Sequence, residues 1–193
     1  SSIQKVSATL GENTLNLGLQ AGLIGLIIVS LYLILYYRIL GFVAIVGLTS
    51  FGLLFYSVIT LLGEYQGFTL TLSGIAGIIV SIGLAADSYI VTFEKFKDEI
   101  KIGRSFQFAA DKAATDAWKT ILTADFVSLS AATLLYVLAI GPIRGFALAL
   151  GVATIFDLFF TRLYTRNTVP FVSSLTSSSR GFFPIKMKDL LND

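Results

Sequence analysis

The stretch Gly83-Leu84-Ala85-Ala86-Asp87-Ser88-Tyr89-Ile90-Val91-Thr92-Phe93-Glu94-Lys95 decides the class of this chain. Asp87 is the only charged residue between Tyr65 and Phe93, and the apolar run that holds it stops at Glu94-Lys95. A run of this length suits a helix crossing a bilayer, which needs about 20 residues. An ionisable group inside such a helix costs at least ~2.5 kcal/mol. Asp87 is therefore read as a functional acid that handles a proton or another cation.

The rest of the sequence agrees with a membrane protein. Of its 193 residues, 55% are hydrophobic and 13% charged, where a soluble chain carries about a quarter charged residues. Mean hydropathy is +0.82. Besides the run at 68–93, four others are long enough to span: 15–36, 40–62, 120–140 and 145–161. The chain contains neither cysteine nor histidine, which excludes disulfides, thiol chemistry and the usual metal ligands. Proton handling then falls to carboxylates, Tyr, Lys or Arg. With no nucleophile–base constellation in view, no catalytic residue, metal or cofactor is expected, and the chain is not read as an enzyme.

Orientation follows from the distribution of cations rather than from the net charge of +2. Arg38, six cations between Lys95 and Lys119, and five from Arg162 onward fall on one side of the alternating spans. Only Lys5 and Arg144 fall on the other. The positive-inside rule makes the richer side cytoplasmic and puts the N-terminus outside. The chain opens at Ser1 without a basic leader, and an odd number of spans with an outer N-terminus suggests an earlier span. The expected layout is an extracytoplasmic stub at 1–14, a bundle at 15–165 and a cytoplasmic basic tail or linker at 166–193.

Tyr36-Tyr37-Arg38 marks a tight hairpin between the first two spans. Gly63-Glu64 with Gln66-Gly67, and Gly141-Pro142, mark the outer turns. In the long loop at 94–119, Ser105 is a candidate N-cap. Phe106, Ala109, Ala110, Ala113, Ala114, Ala117 and Trp118 then recur at helical spacing. This pattern predicts an amphipathic helix lying along the cytoplasmic interface, as a spacer or as a coupling element. The serine-rich segment at 173–179 is expected to be flexible.

The last three spans carry one acid each: Asp87, Asp125 and Asp157. At about 1.5 Å per residue, each lies roughly 7–9 Å inside the cytoplasmic end of its span. The three could meet if the helices pack. Ala76, Gly77 and Gly83 lie on or beside the Asp87 stripe, and small residues let membrane helices approach closely. That stripe is expected to face protein. A desolvated carboxyl near another acid can load and release a proton near neutral pH. Arg162, little more than a turn beyond Asp157, offers the plainer alternative of an ion pair, and Lys119 or helix-end water could satisfy Asp125.

Three stretches resemble a known family. They are Val6-Ser-Ala-Thr-Leu-Gly11; Leu72-Ser-Gly-Ile-Ala-Gly77 through Asp87 to Phe93-Glu94-Lys95 with Gly103-Arg-Ser105; and Ala117-Trp-Lys-Thr-Ile-Leu122 with Gly141-Pro142 and Arg144-Gly-Phe146. Over about residues 4–165 the chain resembles the C-terminal membrane region of the SecD/SecF protein-export subunits of the resistance–nodulation–division (RND) superfamily. It is nearer the SecD branch. The resemblance implies an all-α bundle, five helices of a six-helix RND-type unit, with Asp87 as its proton-pathway carboxylate. Asp125 stands two positions from an acid common in relatives, which read Asp-Ala-Asn where this chain has Thr123-Ala124-Asp125. Asp157 matches no family acid. The implied work is export of polypeptides driven by the proton-motive force, with SecF, the SecYEG channel and a YidC-type insertase as partners. The translocating polypeptide would be handled by an outer domain outside this sequence. Two other readings compete: an RND-type lipid or drug exporter, and a non-transporting membrane scaffold.

Overall fold

The structure, a computed structural model, describes residues 8–66 and 72–176. Those residues form five α-helices: α1 Ala8–Tyr37, α2 Ile39–Gln66, α3 Leu72–Lys101, α4 Phe106–Leu138 and α5 Pro142–Thr176. Each contains a stretch long and apolar enough to cross a membrane. The three C-terminal helices pack against one another most extensively. α2 lies against α5 and α3, and α1 touches only α2 and α3.

Several boundaries differ from those read off the sequence. α1 begins at Ala8, inside the expected stub, and α5 runs to Thr176, past the expected end of the bundle. The outer turn residues 63–66 belong to α2, while Gly67 and the tail from 177 lie outside the described residues. The segment read as an interfacial helix is helical with its alanines inward, but it is the first half of α4 and not a separate element. Ala109, Ala110, Ala113, Ala117, Ile121, Asp125 and Ala132 form one buried stripe along that helix. The physical reason is plain in the sequence: no Gly or Pro interrupts 106–140. Ser105 caps the helix N-terminus, accepting from the Phe108 amide. At 30 and 33 residues, α3 and α4 are about 45 and 50 Å long, against a hydrocarbon core of about 30 Å. Their joined ends therefore project beyond it, with Phe96 and Ile100 buried in the same core as Ala109, Ala110 and Ala113.

The connections are tight. Arg38 alone makes the α1–α2 turn at a φ of 52°, and a Cβ at Gly41 would collide with the Leu33 carbonyl oxygen. Gly103 and Gly141, at φ values of 87° and 67°, take left-handed conformations that side chains resist. Pro142 then opens α5, where its missing N–H costs nothing. Below the α1–α2 turn, the Tyr37 hydroxyl donates to Glu94 Oε1 at 2.6 Å. Lys97 donates to the same oxygen at 3.0 Å and sits 4.4 Å from the Tyr36 ring centre. This clasp ties the first hairpin to α3. Deeper in the membrane, Phe51 and Phe55 of α2 meet Phe156 and Phe160 of α5 in a run of ring contacts.

Candidate ion-coupling site

A helix turns about 100° per residue, so neighbours in sequence face different surroundings. On α3 the inward face is Ala85, Ser88, Tyr89, Thr92 and Phe93, all buried. Asp87 falls on the opposite, exposed side, in a stripe with Ala76, Val80 and Gly83 at spacings of four, three and four. No hydrogen bond or ion pair reaches Asp87 among the described residues. Within this chain, then, the expectation that the Asp87 stripe faces protein does not hold. Ala76 is exposed, and a Cβ on Gly83 would meet nothing within 4 Å. Only Gly77, which was placed at the flank, is a close-packing residue. A Cβ there would lie 2.9 Å from both Ala149 Cβ and the Phe146 carbonyl oxygen of α5. Beside the exposed stripe, Gly22, Gly25, Leu26 and Val29 of α1 and Ile79, Ile82 and Gly83 of α3 enclose an apolar groove of about 220 Å³.

The other two acids are both buried, in the seam of α3, α4 and α5. Asp125 and Asp157 retain only 5% and 3% of their surface. Ser88 of α3 donates to Asp157 Oδ2 at 2.9 Å. Thr161, one turn along α5, donates to Oδ1 at 3.0 Å. Both carboxyl oxygens of Asp157 thus accept a hydroxyl hydrogen. Asp125 has no such support, and its Oδ2 is buried without a partner. The pairings offered as plainer alternatives do not form: no ion pair joins Asp157 to Arg162 or Asp125 to Lys119 among the described residues. Arg162 instead stacks over Trp118, 4.8 Å from the ring centre.

Hydroxyls that the sequence reading passed over complete the seam. Ser81, Ser88, Thr92, Thr154, Thr161 and Thr165 are all buried. Thr161 and Thr165 continue the Asp157 stripe at i+4 and i+8, and Thr92 follows Ser88 at i+4. That spacing was a usable signal, hidden because Ser and Thr are unremarkable in membrane helices. Thr92, Thr161 and Thr165 open into a crevice with Ala114, Trp118, Ile121, Arg162 and Arg166.

Five long apolar helices packed into one bundle define the class: a multi-pass helical membrane protein. The particular family comes from comparison with known proteins. The family model described as "Protein export membrane protein SecD/SecF, C-terminal" matches residues 1–172, and the chain belongs to that family. It is 47% identical over 165 residues to the protein translocase subunit SecD of Mycobacterium tuberculosis, covering 86% of this chain and 29% of that protein. The SecD of Streptomyces coelicolor is 44% identical over the same length and shares. Among solved structures, SecDF of Thermus thermophilus, a translocon-associated membrane protein, superposes with a TM-score of 0.80 at 31% identity. That match covers 94% of this chain and 24% of that one. A second SecDF structure, in a super-membrane-facing form, gives 0.71 at 33% identity, covering 86% and 22%. The chain thus spans less than a third of the length of these relatives. It is a multi-pass protein of the bacterial cytoplasmic membrane.

Proposed function

We propose that this chain is the membrane motor segment of a SecD-like subunit that uses the proton-motive force to assist export of polypeptides through the SecYEG channel. Its direct partner is SecF, with a YidC-type insertase in the wider assembly. The observation that carries this reading is the exposure of Asp87 on the partner-free face of α3, in a chain 47% identical to a translocase SecD. A lone acid facing lipid is costly, and a second subunit over Ala76, Gly83 and Asp87 removes that cost. Small residues at the first two positions let its helix approach closely.

In this mechanism Asp87 takes a proton from the outer side at the subunit boundary and releases it to the cytoplasm. Each charge crossing the field carries about 2.3 kcal/mol per 100 mV, enough to bias a bistable helix contact. Because Ser88 follows Asp87 directly, any rotation of α3 that re-seats Asp87 also disturbs the Ser88–Asp157 bond. The motion passes to the outer domain that grips the polypeptide. The test is preprotein export into inverted membrane vesicles that contain or lack the full-length subunit. Stimulation that vanishes when the gradient is collapsed supports the reading. Gradient-independent stimulation would leave only the scaffold reading standing.

A further inference from the structure

We infer that the α3–α4–α5 seam contains a second protonation site, the Asp125–Asp157 pair, which exchanges its proton with the cytoplasm along Thr161 and Thr165. It rests on the proposed function for its purpose but on its own geometry for its existence. Asp87 contributes no atom to it.

The argument starts from the hydrogen atoms. A hydroxyl has one to give, and Ser88 and Thr161 both give theirs to Asp157. Donors aimed from two helices at both oxygens suit an anion. Asp125 is buried and, among the described residues, offered no donor at Oδ2. It is the neutral member, holding its own proton. The resting pair therefore contains one proton and one negative charge.

A second observation points to exchange with water. Thr165 is 4% exposed and its hydroxyl lacks a partner among the described residues, although it lies on the stripe that Asp157 and Thr161 begin. It lines the crevice with Thr92, Trp118, Arg162 and Arg166, which is narrow enough to hold about one water. A water there would satisfy Thr165 and connect the column to the cytoplasmic end of α5. Arg162, stacked over Trp118, forms part of the crevice wall.

The step balances as one proton in and one out. An incoming proton forms an O–H bond on Asp157, making the pair neutral. Ser88 can then release Asp157, because the Leu84 carbonyl oxygen already lies 3.4 Å from its Oγ. The new O–H is on Oδ1, where Thr161 gives its hydroxyl hydrogen and takes a replacement from the crevice water. Release breaks that bond, passes the proton to the crevice water, and restores the Ser88 donation to the anion. The other titratable groups facing Asp157 are Asp125 from α4 and Tyr89 from α3. α2 meets this part of α5 through Phe51 and Phe55.

The test is infrared spectroscopy of the full-length protein with its partner subunit in liposomes, following the carbonyl stretch of protonated carboxyls through a pH jump. Two bands are expected: a constant one lost in Asp125→Asn, and a pH-dependent one lost in Asp157→Asn. Thr165→Val, which leaves both acids in place, should slow the rise of the Asp157 band. Asp87→Asn should leave both bands intact, so failure of the export mechanism and failure of this site are separable. The inference is overturned if Asp125→Asn removes no band, or if the Asp157 band does not respond to pH. It is also overturned if sodium chloride, but not choline chloride, displaces the Asp157 proton, which would make the seam a sodium site.

Discussion

The two faces of α3 handle acid in opposite ways. The inner face presents Ser88 to a carboxylate that is buried and hydrogen-bonded from two helices. The outer face presents Asp87 itself, exposed, with an apolar groove on one side. The inner face is finished within this chain, and the outer face is left open by it. One helix can therefore report the protonation of one boundary to the interior of the subunit, since neither face moves without the other.

The sharpest way to break that comparison is steric. Gly77→Leu drives a side chain into Ala149 Cβ and the Phe146 backbone oxygen, and backbone cannot give way. A loss of about 3 kcal/mol is expected, read as a collapse in thermal stability of the purified protein. Gly83→Leu, on the outer face, should leave the stability of the isolated subunit unchanged and reduce recovery of the complex with SecF.

The next effect is electrostatic. Asp157→Ala strands the Thr161 hydroxyl and empties the seam, for an expected cost of about 1–3 kcal/mol. Asp87→Ala should change the stability of the isolated subunit by no more than about 0.5 kcal/mol. Equal losses from the two substitutions would erase the distinction between the faces. The smallest effect belongs to the clasp outside the seam. Tyr37→Phe removes the 2.6 Å donation to Glu94, but Lys97 still satisfies that carboxylate. A cost of about 1 kcal/mol in thermal unfolding is expected.

Much of this could be read from the sequence, and the exceptions share one cause. Span number and the singular position of Asp87 followed from hydropathy and charge. The facing of Asp87 did not, because lipid and protein interior are equally apolar and periodicity no longer separates outside from inside. Ala76 and Gly83 suggested close packing, but within this chain Ala76 is exposed and a Cβ on Gly83 would meet nothing within 4 Å. The packed glycine, Gly77, lies one position away. Asp157 was set against Arg162 by spacing alone, whereas Trp118, on another helix, takes that guanidinium. The merging of the cytoplasmic helix with the fourth span was legible in the absence of Gly and Pro from 106 to 140. It was missed because the change from charged to apolar composition near Thr120 looked like a boundary.

The account's central claim is that Asp87, exposed on α3, couples this subunit to the proton gradient. The most direct measurement compares wild-type and Asp87→Asn full-length protein in preprotein export, with and without a gradient, at matched membrane levels. The account predicts that Asp87→Asn loses the gradient-stimulated component and keeps the remainder. Undiminished stimulation in the variant would contradict it, and would leave the acids of the seam as the coupling groups.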